Sequence, residues 1–145
     1  EYVIKAIHAS DELLKVTLRG DELAVAEGIE AVHLSNTSIL NYNDENSLSC
    51  VIALAYYNAV NDYVLIRELP TGKGYADIAF IPKKTSVKPA MIVELKWNNS
   101  ADGAIEQIKR NQYTEALKGY KGNILLVGIN YDRKTKKHIC RIEKV

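Results

Sequence analysis

The sequence predicts a mixed α/β fold with a helical N-terminal end. Three observations carry this expectation. Helical periodicity with cap and stop residues runs to Asn36, a long apolar helix starts near Asp44, and apolar strands then surround one amphipathic helix in the order β-β-β-α-β-β. The 145 residues, 47% hydrophobic and 26% charged, fit one soluble globular domain with a small appendage. No apolar run approaches the ~20 residues that cross a bilayer, so no membrane is expected as a partner. The start, EYVIKAIHAS, lacks the basic flank and apolar core of a signal peptide. It also lacks an initiator Met, which predicts a piece of a longer protein. Cys50 and Cys140 form no metal-binding spacing and read as reduced, buried thiols of a cytoplasmic protein.

Within residues 2–36, Ser10 offers an N-cap and Gly20 a stop, and the pattern restarts at Asp21, so a helical hairpin is expected. His8 and His33 stand alone in it and read as structural or surface histidines. NTSILNYN (36–43) is a polar connection. DENSLSCVIALAYYNAVN (44–61) is a third helix, capped by Asn43 or Asp44 and dense enough in Leu48, Val51, Ile52, Leu54, Ala55 and Val60 to be buried. Glu45 falls in its first turn, where a carboxylate complements the helix dipole or enters a catalytic site. Residues 63–69 form a strand, PTGKG a turn, and residues 75–81 the partner strand. The glycines serve that turn, since no GxxxxGK[ST] pattern is present. Ala90–Trp97 suits a central strand. ADGAIEQIKRNQYTEALKGY (101–120) is an amphipathic helix capped by Ser100 and ended by Gly119, with Gln107 beside its apolar stripe. NILLVGINY and HICRIEKV are the last strands, joined by the basic DRKTKK.

Two strands carry charge where a buried strand should carry none. The first contains Asp77; the second contains Glu94 and Lys96. Alternation puts Glu94 and Lys96 on one face with Ile92, and Val93, Leu95 and Trp97 on the other. Charged side chains are rarely buried unless paired or bound to a metal, so the pattern asks for a catalytic site or an ion pair. The wider charge distribution is uneven too. Residues 1–72 hold 4 Lys/Arg and 11 Asp/Glu, a net −7, whereas residues 73–145 hold 15 and 7, a net +8. The basic half either faces phosphates or is a solvated face.

Phosphodiester hydrolysis needs a metal to polarise the phosphate, an activated water and neutralisation of the developing charge. Mg2+ takes hard oxygen ligands and keeps several waters, so one or two carboxylates suffice. Asp77 and Glu94 on adjacent strands supply them, and the Leu95 carbonyl adds a third oxygen. Lys96 lies ~6.5–7 Å beyond Glu94 on the same face, within reach of the attacking water or the phosphate.

GYADIAFIP and MIVELKW, with the helix ENSLSCVIALAYYNA before them and AIEQIKRNQY after, resemble the PD-(D/E)XK nuclease superfamily. More closely, they resemble the branch at the C-terminus of bacterial AAA-ATPase-like proteins of uncharacterised function. The resemblance spans residues 41–145, leaving 1–40 as the end of a preceding domain or a cap. It implies a restriction-endonuclease-like core and phosphodiester cleavage with Mg2+ (or Mn2+), with DNA as the substrate and an ATPase domain elsewhere in the parent chain. It makes Asp77 and Glu94 metal ligands, Lys96 the catalytic lysine, and Glu45 the counterpart of a first-helix glutamate used at the metal by some members. The family's usual Pro before the aspartate is Ala76 here. Some related exonucleases carry Q-x-x-x-Y on the following helix; here Gln107 is followed at that spacing by Asn111, and Tyr113 comes later. Gln107 is thereby implied as a phosphate or metal-site contact. The competing expectation is an inactive nuclease-like module that binds nucleic acid or a protein, or one whose segment 1–36 docks on the ATPase domain for assembly. Retention of Asp77, Glu94 and Lys96 argues against decay.

Overall fold

Helix α1 (Tyr2–Arg19) ends where the backbone turns left-handed, at Gly20 with φ +78°. The Gly20 N–H donates to the Thr17 carbonyl and the Asp21 N–H to the Val16 carbonyl, each at 3.0 Å, a Schellman closure. Asp21 then caps α2 (Glu22–Ser35), its Oδ1 accepting the Ala24 N–H at 3.2 Å. The expected helical hairpin is thus present. A Cβ at Gly20 would meet nothing within 4 Å. Gly20→Ala should therefore cost only left-handed backbone strain, about 1–2 kcal/mol, read as a lower Tm. An unchanged Tm would remove glycine's conformational freedom as the reason for this stop.

The structure, a computed structural model, describes residues 2–35, 45–71, 74–110 and 123–144, with side chains described over 9–34, 48–67, 77–110 and 123–144. Two expectations about the helices are corrected. Ser10 is no N-cap: the apolar residues before it continue the helix, and its buried Oγ accepts the Asn58 N–H at 2.6 Å. The third helix does not run unbroken to Asn61. It is α3 (Glu45–Ala55), followed by a 3-10 turn, Tyr57–Asn61. Tyr56 leaves helical geometry at φ −104° and ψ 26°, with its buried hydroxyl 2.7 Å from Thr17 Oγ1. Asn58 is also held by Asp11 Oδ1 at 3.2 Å. These bonds to α1 override the local helical pattern. The connection 36–43 and the expected caps Asn43 and Asp44 lie outside the described residues.

Strands β1 (Tyr63–Thr71), β2 (Gly74–Pro82), β3 (Ala90–Trp97), β4 (Ile124–Asp132) and β5 (Lys137–Lys144) form one sheet in sequence order. Neighbours are antiparallel except β3 and β4, which run parallel with α4 (Ala101–Arg110) in the connection between them. Ser100 caps α4, its Oγ accepting the Gly103 N–H at 2.8 Å. Residues 111–122, which include Tyr113 and the expected stop Gly119, lie outside the described residues.

Alternation sorts each strand's side chains between two apolar layers. Ile78, Phe80, Met91, Val93, Leu95, Leu125, Val127 and Ile129 pack with residues of α1, α2 and α3, including Leu13, Ile29, Leu48 and Ile52. Ala90, Ile92 and Leu126 pack with Ile105 and Ile108 of α4 on the opposite face. The N-terminal hairpin therefore shares the main core with the sheet. β3 is buried from Ala90 to Leu95, as its central position requires. Gly128, paired in register with Glu94, lets α4 approach closely: a Cβ there would lie 2.5 Å from the Ala101 carbonyl oxygen.

A second link ties the hairpin to the far edge. His138 Nδ1 lies 2.8 Å from Glu30 Oε2, and the His33 ring packs edge-on against both His138 and Tyr131. Burial pushes both imidazoles below their ordinary range, while Glu30 opposes the shift. His33 is buried in this cluster rather than on the surface; the His8 side chain lies outside those described. Cys50 and Cys140 are free, and burial pushes the Cys140 thiol up to about 12, with the carboxylate of Glu22 adding to it and Arg141 opposing. Among the described residues, no helix is long and apolar enough to cross a membrane.

Candidate active site

The β2–β3 pairing runs from Phe80–Met91 to Ile78–Val93. Beyond it, Asp77 Oδ2 accepts the Leu95 N–H at 2.8 Å, so a side chain takes the place of a ladder partner. Glu94 sits beside it, on the α4 face and only 3% exposed. Gln107, projecting from α4, donates from Nε2 to Glu94 Oε1 at 2.7 Å and accepts at Oε1 from Lys96 Nζ. Asp77, Glu94, Lys96 and Gln107 therefore converge, linked through Gln107 and the backbone of Leu95.

Burial raises the Glu94 carboxyl to about 8, with the charge of Asp77 and a hydrogen bond shared with its side chain adding to the shift. Lys96 opposes it. Two carboxyls this close retain a proton or admit a cation. Their hard oxygens fit a divalent metal: Asp77 and Glu94 would hold it, with room in its coordination for waters. Among the described residues, no cluster of three or more His, Cys, Asp or Glu is arranged for a metal. For Leu95, the described bond involves its N–H; its carbonyl is the atom expected as a ligand. Glu45 opens α3, which packs on the sheet face opposite Glu94, and its side chain lies outside those described. Ser49, one turn further along α3, accepts from Arg67 Nη2 at 2.7 Å, and Arg67 pairs with Ile78 beside Asp77.

The raised Glu94 pKa has a stability consequence with a definite sign. Its folded value lies above the ordinary 4.5, so its contribution is complete below about 4.5 and is lost as pH rises toward about 8. The lowered pKa values of His33 and His138 work the other way, adding stability that is lost as pH falls below 6.5. In chelator, stability should therefore fall by on the order of 1 kcal/mol between neutral pH and about 8, read as a lower Tm. Mg2+ should raise Tm more at the alkaline end, because the cation replaces the proton. A metal-free Tm that climbs across that window would contradict this electrostatic picture.

The residues that hold this arrangement include several that sequence reasoning passed over. Asn130, buried and paired in register with Lys96, accepts the Asn99 N–H on Oδ1 at 2.9 Å. Asn98 adopts φ +52°, donates its N–H to the Tyr131 carbonyl at 2.8 Å and accepts the Arg133 N–H on its side chain at 2.8 Å. Together they fix the turn that carries the chain from Lys96 into α4, and hence Gln107. The signal was present: Asn130 is a polar residue in an apolar strand, the same anomaly that marked Glu94. The positive φ at Asn98 also suits a residue type that tolerates the left-handed region.

The chain belongs to the PD-(D/E)XK nuclease superfamily, whose family description matches residues 43–140. It is similar to a solved structure described as the crystal structure of a repair endonuclease from Pyrococcus abyssi. The two share 21% sequence identity with a TM-score of 0.39, over 63% of this chain and 39% of that one. The chain thus spans about two fifths of that protein's length. No curated protein sequence matches it.

Proposed function

We propose that residues 41–145 are a metal-dependent nuclease domain that hydrolyses phosphodiester bonds of DNA, within a larger, cytoplasmic, ATPase-linked protein. Segment 1–40 serves it as a helical cap. The observation that carries this reading is the hydrogen-bonded series Lys96–Gln107–Glu94 beside Asp77, since an isolated ion pair would need no amide between its partners. Mg2+ or Mn2+, held by Asp77 and Glu94 with the Leu95 carbonyl and Glu45 as further ligands, would supply phosphate polarisation and a more acidic water.

The chain's own groups do the rest. Gln107 holds the Lys96 amine at the site and fixes the Glu94 carboxylate, so neither has to be ordered when substrate arrives. Lys96 Nζ donates to a phosphate oxygen or to the attacking water and offsets the negative charge that develops as the P–O bond breaks. Water supplies the incoming oxygen and, in total, the proton taken up by the leaving alkoxide. The test is a cleavage panel of double- and single-stranded DNA and RNA, with Mg2+ or Mn2+ and with chelator. Metal-dependent cutting of DNA is expected; no cleavage of any substrate with either metal would favour a binding module over an enzyme.

A further inference from the structure

The basic half of the chain contains two lysine-rich connections, and the structure treats them differently. At the end of the sheet away from the site, Lys88 pairs with Asp62 at 2.6 Å and Lys83 donates to the Val60 carbonyl at 2.7 Å, which leaves Lys84 as the exposed cation of that connection with no ion pair among the described residues. On the edge and on α4, Arg141 faces Asp102 at 3.4 Å and Lys109 faces Glu143 at 2.8 Å. The hairpin between β4 and β5 is different. Arg133, Lys134, Lys136 and Lys137 are all exposed, and none forms an ion pair with a described residue.

Register places this hairpin at the site end. Lys96 pairs with Asn130, so Arg133 begins roughly 10 Å further along the neighbouring strand, about three phosphates away at the rise of a duplex strand. The hairpin is also tied by hydrogen bonds. Asp132 Oδ1 accepts the N–H groups of Lys134 and Thr135 at 2.8 and 3.3 Å, and its carbonyl accepts the Lys136 N–H at 2.8 Å. Asn98 joins it to the turn that follows Lys96. Lys136 itself sits at φ +58°, where glycine would be less strained.

We propose that the β4–β5 hairpin is a grip for the DNA phosphate backbone, engaging phosphates beyond the scissile one through Arg133, Lys134, Lys136 and Lys137. It rests on the nuclease reading for the identity of the polyanion, yet its test does not need cleavage. Fluorescence anisotropy of a labelled DNA duplex in chelator, titrated between about 50 and 200 mM salt, measures it on the full chain. The quadruple variant Arg133→Gln, Lys134→Gln, Lys136→Gln, Lys137→Gln should bind about 10–100-fold more weakly. Its dependence of log affinity on log salt should flatten by about 0.9 for each phosphate that is no longer neutralised. The Lys83→Gln, Lys84→Gln control should change affinity by less than about threefold. Lys136→Gly gives an independent readout: relief of strain should raise Tm while removal of the charge lowers affinity, a split that a purely structural role would not produce. Wild-type affinity and salt slope in the quadruple variant overturns the proposal, as does a larger drop in affinity in the Lys83/Lys84 control. A chain that binds through the hairpin and cuts nothing keeps this inference and removes the catalytic one.

Discussion

Lys96→Ala should lower DNA cleavage by about 10²–10³-fold, the cost of removing one preorganised donor aimed at developing charge. Tm should stay near wild type, because Lys96 is only half-buried and its amine packs against Gln107 rather than into either apolar layer. DNA affinity in chelator should change little, since exposed cations elsewhere remain. The combination of a reduced rate with retained fold and binding is what separates a catalytic lysine from a structural one. Gln107→Ala should be milder. Gln107 touches Lys96 and Glu94 but is placed to position them, so the rate should fall only roughly tenfold. If it acted through Lys96 alone, the double variant would be no slower than Lys96→Ala. Any further decrease in the double variant measures its hold on Glu94. Wild-type cleavage by Lys96→Ala would remove the catalytic assignment altogether.

The parts of this site that were legible in the sequence share one physical property: they violate the pattern around them. A carboxylate and a lysine in an apolar strand, at positions that alternation puts on one face, cannot be explained by burial alone, and Ile92, Glu94 and Lys96 do share the α4 face. Gln107 was placed by helical periodicity, and the cap at Ser100 by its residue type. What stayed hidden depends on relations between distant segments. Nothing local indicates that Tyr56 will break α3, because the Thr17 hydroxyl that holds it belongs to another helix. Nor can composition tell that Lys88 has a partner while Lys134 has none among the described residues, since Asp62 meets Lys88 only across the fold. The register of the parallel β3–β4 pair, which sets Asn130 beside Lys96 and Gly128 beside Glu94, is likewise invisible in either strand alone.

That register gives the second large effect. Gly128→Ala adds a single methyl group, and it should damage both stability and activity. The new Cβ would lie 2.5 Å from the Ala101 carbonyl oxygen, 3.0 Å from Ala104 Cβ and 3.2 Å from Ile105 Cγ1. The nearest atom is backbone, so no side-chain rotation relieves the clash, and α4 must move off the sheet. Overpacking of this kind costs about 1–3 kcal/mol, or roughly 4–12 °C in Tm for a domain of this size. The displacement reaches the site because Gln107 rides on the same helix. A shift of about 1 Å would lengthen its bonds to Glu94 and Lys96 and can cost on the order of 10²-fold in rate. Ala104→Gly, which relieves only the second clash, should fail to restore activity, because the Ala101 carbonyl would still be in the way. Assayed well below the variant's Tm, abolished cleavage with DNA binding retained would trace the defect to the geometry of α4 over β3. A variant with wild-type Tm and rate would mean that α4 does not depend on Gly128 for its approach, and that Gln107 is positioned by the Ser100 and Asn130 turn alone.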